Sequence, residues 1–291
     1  MFQAFTQKMP GWTWFVINSL FACIMGMLTK ELAVYRGVPI IWIIFSRYSL
    51  GILGMSLPSL AGAWSLKVRN RGVFLLRGIF GSVSQFFFFF SIVNVGLGRG
   101  TVLFNLVSLF AAISGIFILG EKPKTIVALA VLGGTIGVWL CFNLSLPRSA
   151  EWLTLLGAFI GGISLSLIRR LRRTDSNQVT FLSHSFFGCI IFLIPALLTP
   201  PPREAGIWML ILLLSLADIL ALLSLQQGLS KTPIAVGAAL ITMTPIASLL
   251  IGFLMFDERL LIVQWMGSIL VLASAILATA STSRAMRRKP R

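Results

Sequence analysis

Acidic side chains are scarce in this sequence: eight aspartates and glutamates stand against 24 lysines and arginines in 291 residues. There is one histidine, His184, and there are three cysteines, Cys23, Cys141 and Cys189, with no CxxC among them. Such a set has no clustered metal ligands, no disulfide framework and no close pair of catalytic carboxylates. The GxSxG, HExxH, phosphate-loop and dinucleotide motifs are missing too. The chain is therefore not expected to be an enzyme or to carry a cofactor, and without a nucleotide-binding motif it does not read as an ATP-driven pump. Each cysteine lies in a separate apolar run and reads as a packing residue.

Apolar length is what the chain has in abundance. Hydrophobic residues make up 57% of it, charged residues 11%, and the mean hydropathy is +0.95; soluble globular domains do not have this profile. A helix crosses the bilayer core with roughly 20 apolar residues. Ten such runs can be placed, at about 12–32, 38–60, 73–95, 100–119, 126–144, 152–168, 179–199, 206–229, 233–256 and 261–281. The expected fold is an all-α integral membrane protein of ten transmembrane helices. The first run is too long for a signal peptide and lacks a small-residue cleavage site, so it reads as the first span.

Lysine and arginine are retained in short cytoplasmic loops, and here they divide unevenly. The side bearing both termini takes Lys8, the group Lys67, Arg69, Arg71 and Arg77, then the groups around 122–124 and 169–173, Lys231, and the group around 284–291. The other side has only Lys30, Arg36, Arg99, Arg148, Arg203 and Arg259. Both termini are expected in the cytoplasm. The net charge of +16 then follows from topology, so nucleic acid is not an expected partner, whereas the basic tail can touch anionic membrane lipid.

A shift of the sequence against itself lays the segment from Thr101 over the segment from Ala238, bringing Gly115 onto Gly252 and Glu121 onto Glu258. Upstream, VNVGLGRG matches LQQGLSKT, with Gly96 on Gly228. Two halves result, 1–146 and 147–291, each of five spans. An odd number of spans per half turns the second half over relative to the first, which makes an inverted repeat.

On these residues the chain resembles the drug/metabolite transporter superfamily, in its EamA-like ten-helix group. The most recognisable elements are GEKP at Gly120 to Pro123 and FDERL at Phe256 to Leu260, with Pro245 thirteen residues before Glu258; in the first half Ser108 stands where that proline would be. The resemblance implies two five-helix repeats and carrier-mediated movement of a small organic solute through a central cavity. That cavity would be lined by the first four helices of each half, in a bacterial inner (plasma) membrane. Its members handle amino acids, nucleotide-linked compounds, vitamins and drugs.

The residues themselves supply site candidates. Asp218 is the one acid deep inside an apolar run, where a carboxyl costs on the order of 3 kcal/mol even on the mild insertion scale. Arg47 lies about nine helical residues, or roughly 14 Å, beyond Val38, near half the depth of the core. In the functional reading Arg47 engages an anionic group while Asp218 engages a cationic one or exchanges a proton, which suits an amino-acid-like solute. The alternatives are a structural ion pair, or Arg47 snorkelling outward. Asn18, Gln85, Asn105 and Gln226 are candidate hydrogen-bonding contacts to a solute, each also readable as glue between helices. His184 reads as a hydrogen-bonded structural residue. Glu121 and Glu258 read as caps or as partners of Lys122 and Arg259. Gly133 and Gly137 form a GxxxG, suited either to a homodimer or to packing within the chain.

The expected function is thus secondary-active transport of a small organic metabolite, amino-acid-like by preference, through alternating access. A larger solute such as an S-adenosyl compound, nucleoside or vitamin is one alternative; a non-transporting structural or assembly protein of the membrane is another.

Overall fold

The computed structural model describes residues 10–60, 62, 65–120, 125–143, 148–231 and 243–286. These are helical, with no strand among the described residues. The helices are α1 (Gly11–Lys30), α2 (Ile40–Leu60), α3 (Arg71–Asn94), α4 (Leu97–Phe104), α5 (Val107–Leu119), α6 (Thr125–Cys141), α7 (Ser149–Leu171), α8 (Asn177–Leu198), α9 (Ala205–Lys231), α10 (Met243–Phe256) and α11 (Ile262–Met286). Among the described residues seven helical stretches are long and apolar enough to cross a membrane, with α4 and α5 forming one of them, and three shorter apolar helices accompany them. Helices satisfy their own backbone groups, which is what hydrocarbon demands.

Local chemistry sets several boundaries. The side chain of Asn70 accepts a hydrogen bond from the Val73 amide and so starts α3 at Arg71. Ser176 does the same for α8 through the Val179 amide. α1 ends in a π-helical turn, Glu31–Tyr35, in which the Arg36 amide reaches back to the Glu31 carbonyl. Between α3 and α4 the chain turns at Gly96 with φ +113°, a conformation that disfavours any residue with a Cβ. The run expected as one span over 100–119 is divided at Asn105 and Leu106, whose ψ values near −14° break the α-helical ladder without a proline or glycine.

The halves interleave. α1 packs on α9 and α3 on α7, while α2 pairs with α8, α4 with α10 and α6 with α11. Gly133 and Gly137 face α11, and a Cβ on Gly137 would lie 2.9 Å from the Gly267 carbonyl oxygen, so this GxxxG face is taken up inside the chain. Two cores form. One gathers Val102, Leu103, Leu106 and Leu109 with residues of α6, α7, α10 and α11. The other gathers Met25, Ile43, Ile44, Tyr48, Phe89, Phe192, Ile211 and Leu214 from α1, α2, α3, α8 and α9. Large apolar side chains such as Ile194, Leu198, Leu254 and Phe117 stand exposed, a surface suited to lipid tails and not to water.

Candidate functional site

The second core encloses a chain of polar side chains from four helices. Arg47 on α2 donates from Nε to Asp218 Oδ2 on α9 at 2.7 Å, with both side chains buried. Its Nη1 and Nη2 each lie 3.4 Å from His184 Nε2 on α8. The other ring nitrogen, Nδ1, lies 3.4 Å from Arg77 Nη1 on α3. Aromatic rings wall the group. The Arg47 guanidinium sits 4.9 Å from the Tyr48 ring centroid, and Tyr48 meets His184 edge-on at 5.2 Å. Phe192 stacks on Tyr48 and on Phe86, and Tyr48 Oη donates to the Ser82 carbonyl at 3.1 Å, which fixes the ring.

Of the expected site residues, Arg47 and Asp218 are brought into contact as an ion pair. Asn18 is buried one helical turn away, its amide donating to the Ala221 carbonyl at 2.9 Å and so tying α1 to α9. Asn105 is buried at the α4–α5 junction among residues of the other core, and its Nδ2 has no hydrogen-bond partner. Gln85 is half-buried on α3. The side chain of Gln226 lies outside the described residues, as does Glu121.

The sequence pattern places two members of the cluster outside the site. Arg77 counts there among the cytoplasmic loop charges, yet it lies nearly two turns inside α3 and is 6% exposed. The start signal at Asn70 marks that depth. His184, expected as a hydrogen-bonded structural residue, lies against both arginines; it stands 137 positions after Arg47, the separation that lays Gly115 on Gly252. The same shift puts Gly51 on Gly188 and Pro58 on Pro195, so Arg47 and His184 are repeat-related residues that meet.

A second charged group lies at the far end of α1. Glu258 accepts from the amides of Leu97 (2.6 Å) and Gly98 (2.9 Å) at the start of α4, and it pairs with Lys30. It therefore caps a neighbouring helix as expected, whereas Arg259 pairs with Asp257 instead, on the exposed surface at 2.9 Å. Nearby, Arg99 on α4 pairs with Glu151 on α7 at 2.5 Å. No grouping of three or more metal-binding side chains occurs among the described residues.

No curated protein matches the chain. A solved crystal structure of a protein superposes with a TM-score of 0.59 over 92% of this chain and 98% of its own; at 16% identity it bears on the fold alone. A family model matches twice, over residues 9–143 and again over 148–280, nearly the full length. The chain belongs to the EamA-like transporter family.

Proposed function

We propose that the chain is a secondary-active transporter of small organic metabolites, amino-acid-like by preference, working by alternating access between halves 1–146 and 147–291. The observation that carries this reading is the buried Asp218–Arg47–His184–Arg77 cluster at the packing centre of α2, α3, α8 and α9 in a member of a transporter family. Intramembrane ionisable groups mark solute and ion pathways. The exchange of partners between halves, α1 on α9 and α3 on α7, is what two inverted repeats related by an in-plane axis produce. Both termini are assigned to the cytoplasm on the lysine and arginine asymmetry, which survives removal of Arg77 and Arg71 from the loop count.

The Arg47–Asp218 pair gives a zwitterion a route in: the solute carboxylate takes Arg47 and its ammonium takes Asp218, exchanging one ion pair for two. The experiment is thermal unfolding of the purified chain with amino acids, S-adenosyl compounds, nucleosides and vitamins, repeated on Asp218→Asn, since a ligand stabilises the state it binds. A stabilising solute that proteoliposomes also accumulate, with both effects lost in the variant, is the expected result. Stabilisation that persists undiminished in Asp218→Asn removes Asp218 from the site.

A further inference from the structure

The central cluster is not charge-balanced. Arg47 is matched by Asp218, but Arg77, equally buried, meets no carboxylate among the described residues, and its Nε has no hydrogen-bond partner. His184 cannot serve both guanidiniums. A neutral imidazole has one acceptor nitrogen, and guanidiniums only donate. Nε2 faces Arg47 and Nδ1 faces Arg77, so whichever nitrogen carries the proton points an N–H at an N–H. Arg47 has Asp218 as an alternative acceptor; Arg77 has none among the described residues.

The backbone makes room for this cation at depth. Gly81 lies one turn beyond Arg77 on α3, where a Cβ would collide with Arg77 Nη1 and lie 2.9 Å from His184 Nδ1. The Arg77 head is thus level with Gly81, ten residues into α3, or about 15 Å from the helix start and near half the hydrocarbon depth. A guanidinium that only sought water would snorkel back toward Arg71. This one runs the other way.

We propose that Arg77 is the recognition point for an acidic group on the solute, a carboxylate or a phosphate, and that the transported molecule carries a net negative charge. This rests on the transport reading above. A zwitterion leaves the cluster with one unmatched cation. A solute with one more acidic than basic group neutralises it, and a planar guanidinium suits two-point contact with either oxyanion.

The test uses the full chain in lipid nanodiscs, titrated with matched solutes while the unfolding midpoint is followed: glutamate against glutamine, succinate against succinamide, glycerol 3-phosphate against glycerol. The acidic member of at least one pair is expected to stabilise at concentrations about tenfold or more below its neutral partner, and the pair that responds separates carboxylate from phosphate. Arg77→Gln should abolish that preference. Gly81→Ala displaces the guanidinium while keeping its charge and a good helix former, so it tests the site even if Arg77→Gln does not fold; it should weaken the acidic solute about tenfold. Equal response to both members of every pair overturns the proposal, as does an acidic preference retained in either folded variant. If a neutral or cationic solute alone binds, this inference fails and the transport reading stands; if no solute of any charge binds, both fail.

Discussion

At the Glu258 end of the bundle charges come in matched sets: Lys30 with Glu258, and Arg99 with Glu151. In the α2–α3–α8–α9 core, two guanidiniums and an imidazole share one carboxylate. Both regions are largely buried and both join the two halves, so burial and topology do not separate them. Charge balance does. A matched set, with backbone amides completing the acceptor, leaves no net charge to offset, even though the Arg99 Nε has no hydrogen-bond partner. An unmatched one carries a cation whose burial is not offset by a partner among the described residues, and the proposed site rests on that contrast.

The contrast is open to mutation. The largest loss of stability is expected from Asp218→Asn, which leaves Arg47 without the one carboxylate it meets among the described residues; breaking a buried pair in this way costs about 3–5 kcal/mol, read as a lowered unfolding midpoint in detergent. Glu258→Gln comes next. It weakens charge-assisted bonds to Lys30 and to the Leu97 and Gly98 amides, each worth about 1.5–3 kcal/mol when fully made, and the amide retains part of that. Arg77→Gln removes a cation that has no counter-charge, so the midpoint should hold or rise while solute binding falls; a drop as large as that of Asp218→Asn would place Arg77 with the struts.

Asp175 sharpens the picture outside the spans. Its carboxylate accepts from the Arg69 amide at 2.6 Å and the Asn70 amide at 3.2 Å, and from the Thr174 hydroxyl, linking the α2–α3 and α7–α8 loops. Burial pushes its pKa up, but these hydrogen bonds outweigh it and hold the carboxyl below the usual range. A depressed folded-state value means stability that is present above the unfolded pKa of about 3.9 and lost as pH falls through the folded value. Asp175→Asn should therefore lower stability above about pH 4, where the ionised carboxylate contributes, and flatten the acid limb below it, so that the two profiles converge at acid pH. The smallest effect belongs to Arg259→Ala, which breaks an exposed pair with Asp257 and should leave the midpoint unmoved.

Hydropathy made the helices legible because seven helical stretches are long and apolar enough to fill the membrane thickness, and it singled out Asp218 and Arg47 because a charge inside such a run needs either a partner or a use. It missed Arg77 because a basic residue near the end of a run resembles a loop charge; only the cap at Asn70 and the bare backbone at Gly81 separate the two cases. It missed the division at Asn105 because no proline or glycine marks it. The role of His184 was carried by the repeat, not by the histidine: the shift that pairs Gly51 with Gly188 also pairs Arg47 with His184. Which carboxylate meets which guanidinium, across 171 residues, is decided by tertiary packing, on which local pattern is silent.

Glu258 caps a helix that begins 161 residues before it. At a synthesis rate of about 5–20 residues per second, the Leu97 and Gly98 amides wait roughly 8–32 seconds for their acceptor to be made. During that interval the two amides at the start of α4 lack this acceptor. The first half is therefore unfinished when it leaves the ribosome, and its completion is timed by the second.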